Sequence, residues 1–282
     1  MKIDILSDLH LDFYFNNKLP LSKDAVKSIF NQIFFNNNKR EPADVLIIAG
    51  DIGHYNEQNI EVLKILQKVY YKYIVCVLGN HDYYLISHGQ KKEYDNNSYN
   101  RANEMIKQIN SQDNMYCLDG NVIEIDGIKF GGAMGWYDDS YTKEYYYTFT
   151  KKSTNNMWKN ISMDSEYIHG INNYDDLYHI EYPKLKKVYQ DCDVMISHIN
   201  PSYLHEHINS TYHNDQGNTF FTFDGHDLLK NGSMKYWIFG HTHDAIEYEL
   251  YDKKVICNPL GYPSESNYGD WIWIKTIEIN NA

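Results

Sequence analysis

Val77-Leu78-Gly79-Asn80-His81-Asp82 is the stretch on which the reading of this chain turns. Residues 73–78 are almost all apolar and β-branched or aromatic, which suits a strand covered on both faces. Gly79 accepts the backbone angles of a sharp exit. Asn80, His81 and Asp82 then stand at the rim of a sheet, where ligand sites of open α/β sheets collect. Asn offers a neutral oxygen, His a proton near neutral pH, and Asp a partner that fixes an imidazole tautomer. All three are also ordinary turn residues, so the stretch gains meaning only beside the rest of the chain.

Four other strand-like runs end in the same way. Residues 2–6 lead into Ser7-Asp8-Leu9-His10-Leu11-Asp12, and residues 45–49 stop at Gly50-Asp51-Ile52-Gly53-His54. Residues 194–196 run into Ser197-His198-Ile199-Asn200-Pro201, and residues 236–239 into Gly240-His241-Thr242-His243. Between them, helical periodicity predicts helices over residues 22–36, with Ser22 as N-cap, and over 57–70, 98–111, 181–190 and about 225–230. Strands are also expected at 115–118, 122–125 and 128–132, the last two joined by the turn signal Asp126-Gly127. Residues 246–250, 255–257 and 271–279 close the chain as strands. No clean period appears from about 136 to 182. That segment, rich in Tyr, Asn, Asp and Lys, reads as an irregular insertion or lid over the site, since it has too few aliphatic residues for a core of its own. The expected organisation is one domain over residues 1–282.

Composition narrows the class. The formal net charge is −12 over 282 residues, which disfavours a protein that coats nucleic acid. The four cysteines, Cys76, Cys117, Cys192 and Cys257, form no Cys-x-x-Cys pair. The expectation is a reducing, cytoplasmic setting without disulfides. No secretory leader and no apolar run long enough for a membrane span are read.

Five strand ends therefore carry Asp8 and His10, Asp51, Asn80 and His81, His198, and His241 and His243. Imidazole, carboxylate and carboxamide oxygen together suit divalent manganese, iron, zinc or nickel. Without His81 there remain seven candidate ligands, too many for one ion. Two ions about 3.5–4 Å apart, sharing a carboxylate, would clamp a phosphoryl oxygen and make hydroxide available near neutral pH.

The series Asp8-Leu9-His10, Gly50-Asp51, Gly79-Asn80-His81-Asp82, His198 and Gly240-His241-Thr242-His243 resembles the calcineurin-like metallophosphoesterase superfamily, in that family's order and over nearly the whole chain. The run 237–243, followed by Cys257-Asn258-Pro259-Leu260-Gly261-Tyr262-Pro263, is similar to a bacterial and phage subgroup of unassigned substrate. The resemblance implies an α+β or α/β fold, a four-layer αββα sandwich of two mixed β-sheets flanked by helices. It implies one metal on Asp8, His10, Asp51 and His243 and a second on Asp51, Asn80, His198 and His241. The two divalent ions would be manganese first, with iron, zinc, nickel and magnesium as alternatives. It also implies hydrolysis of a small phosphomonoester or phosphodiester, a nucleotide among the candidates, by a metal-bridging hydroxide. His81 would act over the phosphate and Asp82 would orient it. A nuclease and a non-enzymatic scaffold of the same fold are the other readings.

Two departures from the family pattern bear on substrate. After Gly50-Asp51, a further Asp or an Asp-Arg-Gly run is replaced by Ile52-Gly53-His54. Arg40 and Arg101 are the two arginines of the chain, and neither lies in a motif. A phosphoprotein substrate is thereby disfavoured against a small phosphoester. His54, Trp136 and Tyr137 are the candidates for substrate contact. The other loop histidines (His88, His169, His179, His205, His207, His213 and His226) are expected at the surface, and His54 is expected at the surface or behind a ligand.

Overall fold

In the computed structural model, which describes residues 1–15, 20–33, 40–265 and 274–279, two sheets face each other. The first holds five strands in the order β11-β1-β2-β3-β4: Lys275–Glu278, Lys2–Leu6, Val45–Ala49, Tyr73–Val77 and Met115–Cys117. β1 to β4 run parallel and β11 is antiparallel to β1. The second sheet has the order β5-β6-β7-β8-β10-β9: Asn121–Ile125, Ile128–Gly132, Val194–Ile196, Tyr236–Phe239, Lys253–Cys257 and Ile246–Leu250. Its middle strands are parallel, and its two outer pairs, β5-β6 and β10-β9, are antiparallel.

Side chains on a strand alternate between faces. Ile3, Ile5, Val45, Ile47, Val75 and Val77 of the first sheet cluster with Phe130, Val194, Ile196, Ile238 and Ile256 of the second. This is the layer between the sheets. The alternate residues Leu6, Leu46, Ile48, Ile74 and Cys76 join helix residues such as Val26, Leu63, Leu66 and Met105 on one outer side. Met195, Trp237, Phe239 and Val255 meet residues such as Leu185, Leu228 and Leu229 on the other. Helices thus cover both outer faces, and the architecture is the expected αββα sandwich of two mixed sheets. Pairs of parallel neighbours carry all the strand ends to one edge, because parallel strands finish at the same end of a sheet.

The local expectations differ from the structure in places. The helix expected from residue 22 is observed as Lys23–Ile33, with Ala25 N donating to Ser22 Oγ at 3.0 Å; the rest of its expected length lies outside the described residues. Asp126 and Gly127 have φ of 48° and 82°, the two left-handed residues of a tight hairpin turn. The start of the expected last strand also lies outside the described residues, and its observed part is Lys275–Glu278.

The largest correction concerns residues 136–182. The segment is largely helical, with helices Ser140–Tyr145, Lys151–Ile161 and Asp164–Tyr167, and Tyr178–Val188 at its end. Aromatic residues do the packing that periodic aliphatics would have announced. Trp136, Tyr137, Tyr141, Trp158 and Tyr174 are all buried. All four cysteines are free and buried, and no described helix is long and apolar enough to cross a membrane.

Candidate metal centre

Two groups of side chains converge at the shared edge of the sheets. Asp8, His10, Asp51 and His243 place a donor atom each within 4.8 Å of one another, and so do Asp51, His198 and His241. Asp51 belongs to both. Its Oδ1 lies 3.4 Å from His198 Nε2 and its Oδ2 3.8 Å from His10 Nε2. Asn80 joins the second group, its Oδ1 2.9 Å from His198 Nε2.

The backbone is bent to deliver these groups. Asp8, His10, Asp51, His241 and His243 all have positive φ, between 41° and 71°. Each such residue costs about 1–3 kcal/mol and persists where surrounding structure dictates it, a pattern concentrated at functional sites. Close approach of the turns requires two glycines. A Cβ on Gly79 would stand 2.1 Å from Asp51 Oδ1, and one on Gly50, whose φ is +88°, 2.3 Å from His198 Nδ1.

Protein hydrogen bonds fix which nitrogen of each imidazole faces inward. His198 Nδ1–H donates to the Ala49 carbonyl at 2.8 Å, which turns Nε2 inward toward Asp51 and Asn80. His241 Nε2–H donates to the Phe220 carbonyl at 3.0 Å, leaving Nδ1. His243 Nδ1 meets Glu265 Oε2 at 2.7 Å, leaving Nε2. Asn80 Nδ2 donates to Asp164 Oδ1 at 2.8 Å and to Tyr84 OH at 3.1 Å, which turns its oxygen toward His198. Such outer partners set ligand orientation in metal sites. The donor set also fits a cation for an electrostatic reason. Asp8 and Asp51 are buried side by side with no lysine or arginine within salt-bridge distance of either among the described residues, and His10 and His243 bring their Nε2 atoms to 3.0 Å.

Titration follows from the same burial. Desolvation raises the Asp8 pKa, with Asp51 adding to it against the pull of His243 and His198. Burial also opposes charge on Asp51, but His198, His81 and His10 outweigh it and hold this carboxyl well below the usual range. At His198, burial is overcome by Asp51, Asp8 and the Ala49 carbonyl, and its pKa is carried up to about 9. Burial pushes His10 and His241 down to about 3. Asp82 is pushed up to about 6, by burial first and then by Asp51.

A stability prediction follows for the metal-free protein. Between pH 6.5 and 5 the unfolded chain protonates His10 and His241 while the folded chain keeps them neutral. Each therefore costs the fold about 1.4 kcal/mol per pH unit on acidification. Asp82 works oppositely, since below pH 6 the folded chain holds a proton that the unfolded one has released; it offsets one histidine. In thermal unfolding of the metal-free protein, the stability difference between the parent and a His241→Gln variant is therefore expected to shift toward the variant by about 1.4 kcal/mol per pH unit as pH falls from 6.5 to 5. In this comparison Glu181 and Asp138, which burial pushes up to about 7 and about 6, cancel. A difference that does not move with pH contradicts the assignment of a buried neutral imidazole at His241.

His81 lies beside both groups, its Nε2 3.9 Å from Asp51 Oδ2. Here the expected role of Asp82 is corrected. The Asp82 carboxylate accepts from Gly79 N at 2.8 Å, Ile52 N at 3.1 Å and Gly53 N at 3.2 Å, so it stitches two turns together and has no hydrogen bond to the His81 ring. His54 takes that place. It is buried, contrary to a surface position, with Nε2 2.9 Å from His81 Nδ1 and Nδ1 2.8 Å from Asp12 Oδ2. Arg101 is also buried and donates to the carbonyls of His81, Tyr84 and Gly53, clamping the same turns from behind. His207, another expected surface residue, is buried against Tyr248 away from the centre.

Trp136 and Tyr137 are corrected too. Both are fully buried and neither lines the cleft at the centre. Trp136 Nε1 donates to the Tyr174 carbonyl and Tyr137 OH to Asp164 Oδ2, so they support the wall from inside. An aromatic that does face the centre is Tyr262, stacked on His10 at 4.3 Å with its hydroxyl 3.4 Å from His81 Nε2. The run Asn258-Pro259-Leu260-Gly261 brings it there by pairing with Ser7 and Asp8: Ser7 N donates to Asn258 O, Leu260 N to Ser7 O, and Gly261 N to Asp8 O. Sequence reasoning missed Tyr262, Glu265, Tyr84, Asp164 and Asp12. The available signal for the first was the Gly261-Tyr262 motif itself, whose position over the centre depends on pairing 250 residues back.

The family model for calcineurin-like phosphoesterase matches residues 1–245. The chain belongs to the calcineurin-like phosphoesterase family. As a calcineurin-like phosphoesterase it carries the assignment of a phosphoester hydrolase, with the two residue groups above as candidate metal ligands. It is 25% identical to "Uncharacterized protein L509" of Acanthamoeba polyphaga mimivirus, across 97% of this chain and 96% of that one. Among solved structures it is similar to phosphopantetheinyl hydrolase from Mycobacterium tuberculosis, with a TM-score of 0.65 and 15% identity over 98% and 95% of the two chains, a likeness of fold. A novel archaeal phosphodiesterase aligns at TM-score 0.33 and 16% identity over 92% and 84%.

Proposed function

We propose that this phosphoesterase hydrolyses a small phosphomonoester or phosphodiester with two divalent metal ions, manganese foremost. Asp8, His10, Asp51 and His243 would hold one ion, and Asp51, Asn80, His198 and His241 the other. The observation that carries this reading is the meeting of both donor groups on the single carboxylate of Asp51. Ions bound there supply Lewis-acid polarisation of the phosphoryl group and a nucleophile from water near neutral pH.

The protein's own residues supply the rest. Asp12, held below the ordinary carboxyl range by its contacts with His54, accepts from His54 Nδ1–H. His54 Nε2 is then an acceptor, so His81 donates from Nδ1 and presents Nε2 to the cleft. Once protonated there, His81 Nε2–H donates to the phosphoryl group and passes its proton to the departing oxygen. The charge so formed is spread toward Asp12 through His54. The cleft has a volume of about 780 Å³, the size of a small-molecule site. Its described lining contains carboxylates and no lysine or arginine, which favours a small ester over a nucleic acid.

The test is to strip the protein of metal, add back manganese, and measure bound metal together with turnover of p-nitrophenyl phosphate and bis(p-nitrophenyl) phosphate. Two equivalents of metal per chain and release of p-nitrophenolate are expected. Less than one equivalent, or no turnover with any divalent ion, overturns the reading and favours a scaffold.

A further inference from the structure

The cleft that opens from the metal-ligand residues has an unusual wall. Large apolar side chains of a folded protein are normally covered, and a contiguous exposed group marks a surface that takes a partner or ligand. Phe13, Ile161, Met163, Tyr212 and Phe221 are among the most exposed large hydrophobic residues described, at 39–59%, and all five line this one cleft. They come from four separate stretches of chain. Ile161 ends the helix Lys151–Ile161, Met163 precedes the next turn of helix, Tyr212 closes the short 3-10 helix Ser210–Tyr212, and Phe13 lies in the helix Leu11–Phe15.

Two of these side chains border the centre itself. The Phe221 ring lies 4.7 Å from that of His241, and the Phe13 ring 4.9 Å from Tyr262 and 5.9 Å from His54. Away from the candidate metal-ligand residues, its formal charges have one sign. Asp215, Asp244 and Glu265 also line the cleft, and no lysine or arginine does so among the described residues. A second anionic group on the substrate would meet carboxylates with no cation to offset them. An uncharged hydrocarbon group would cover the exposed side chains and gain their desolvation.

We propose that the substrate is a phosphodiester with one uncharged, largely apolar ester group, and that this group lies along the wall formed by Phe13, Ile161, Met163, Tyr212 and Phe221. This names the substrate class of the reaction proposed above and rests on it. It excludes esters whose second arm is itself anionic, nucleoside polyphosphates among them.

The experiment uses the manganese-loaded full chain and three diesters: p-nitrophenyl methyl phosphate, p-nitrophenyl hexyl phosphate and p-nitrophenyl 5-carboxypentyl phosphate. In each, water adds oxygen to phosphorus, the bond from phosphorus to the aryl oxygen breaks, and p-nitrophenolate leaves while the other arm stays on the product. A fully buried methylene is worth about a fourfold gain, so five added methylenes on a partly open wall are expected to raise kcat/KM on the order of 10–100-fold for hexyl over methyl. The carboxypentyl ester is expected at least about tenfold below hexyl. In the double variant Ile161→Ser with Met163→Ser, the hexyl-to-methyl ratio is expected to drop by about tenfold; a ratio is unaffected by the fraction of folded enzyme. Turnover with hexyl and methyl within about threefold of each other, well under the gain from two buried methylenes, overturns this inference and leaves the phosphoesterase reading standing. No turnover of any of the three while p-nitrophenyl phosphate is still hydrolysed likewise overturns this inference alone; no turnover of that monoester either removes both.

Discussion

Asp51→Asn is expected to lower kcat/KM by about 10³-fold and to reduce bound metal from two equivalents to one or fewer. The side chain keeps its shape in this variant, so the loss isolates charge and an oxygen donor. Asp51 is the one residue common to both donor groups, with its two oxygens facing His198 and His10 from opposite sides. Its Oδ1 also accepts from His81 N at 2.9 Å, and an Asn oxygen can retain that bond. An amide then turns its NH2 toward the other imidazole and removes a full negative charge from the point where two cations would meet. A metal ion stabilises a phosphoryl transition state by several kcal/mol, and each 1.36 kcal/mol is a factor of ten, which gives the magnitude. Metal analysis and steady-state kinetics check the two halves separately. Unchanged metal content with full activity would mean that the two groups do not share a ligand.

His81→Gln is expected to lower kcat by about 10²–10⁴-fold with both metal ions retained, the usual worth of a positioned acid or base. His54→Gln is expected to cost about 10–100-fold, the range for a residue that orients another. The reason lies in the chain of contacts from Asp12 through His54 to His81, at 2.8 and 2.9 Å. A residue that works only through His81 has nothing left to do once His81 is gone. The double variant is therefore expected to match His81→Gln alone. The pH profile of His54→Gln should differ from the parent, which a merely structural loss would not produce. Additive losses in the double variant would show that His54 acts independently of His81, and the relay would be abandoned.

The fold and the site are unevenly legible in the sequence, for identifiable reasons. Strand runs such as Val45–Ala49 and Tyr73–Val77 are legible because burial on both faces demands apolar residues throughout. The seven donor residues are legible because parallel strands finish at one edge, so that matching polar turns in sequence become neighbours in space. The segment of residues 136–182 was illegible as helix. Its buried face is built of Trp and Tyr, such as Tyr141 and Trp158, and its helices are short, so no aliphatic period announces them. The expected pairing of Asp82 with the His81 ring does not form, because adjacency in sequence does not place two side chains in contact. In the turn, the Asp82 side chain points back to three backbone amides and His81 points out to His54, 27 residues earlier.

By itself, then, the order of residues determined two things: strands that must be buried, and polar groups set at their ends. Both are local consequences of burial and backbone geometry. Everything that depends on which distant side chain faces which was decided by the tertiary structure. Asp164 turning Asn80 across 84 residues, Tyr262 stacked on His10, His54 behind His81 and the apolar wall from Phe13 to Phe221 all belong to that class. These contacts arise from packing two sheets and their helices together, and no spacing along the chain encodes them.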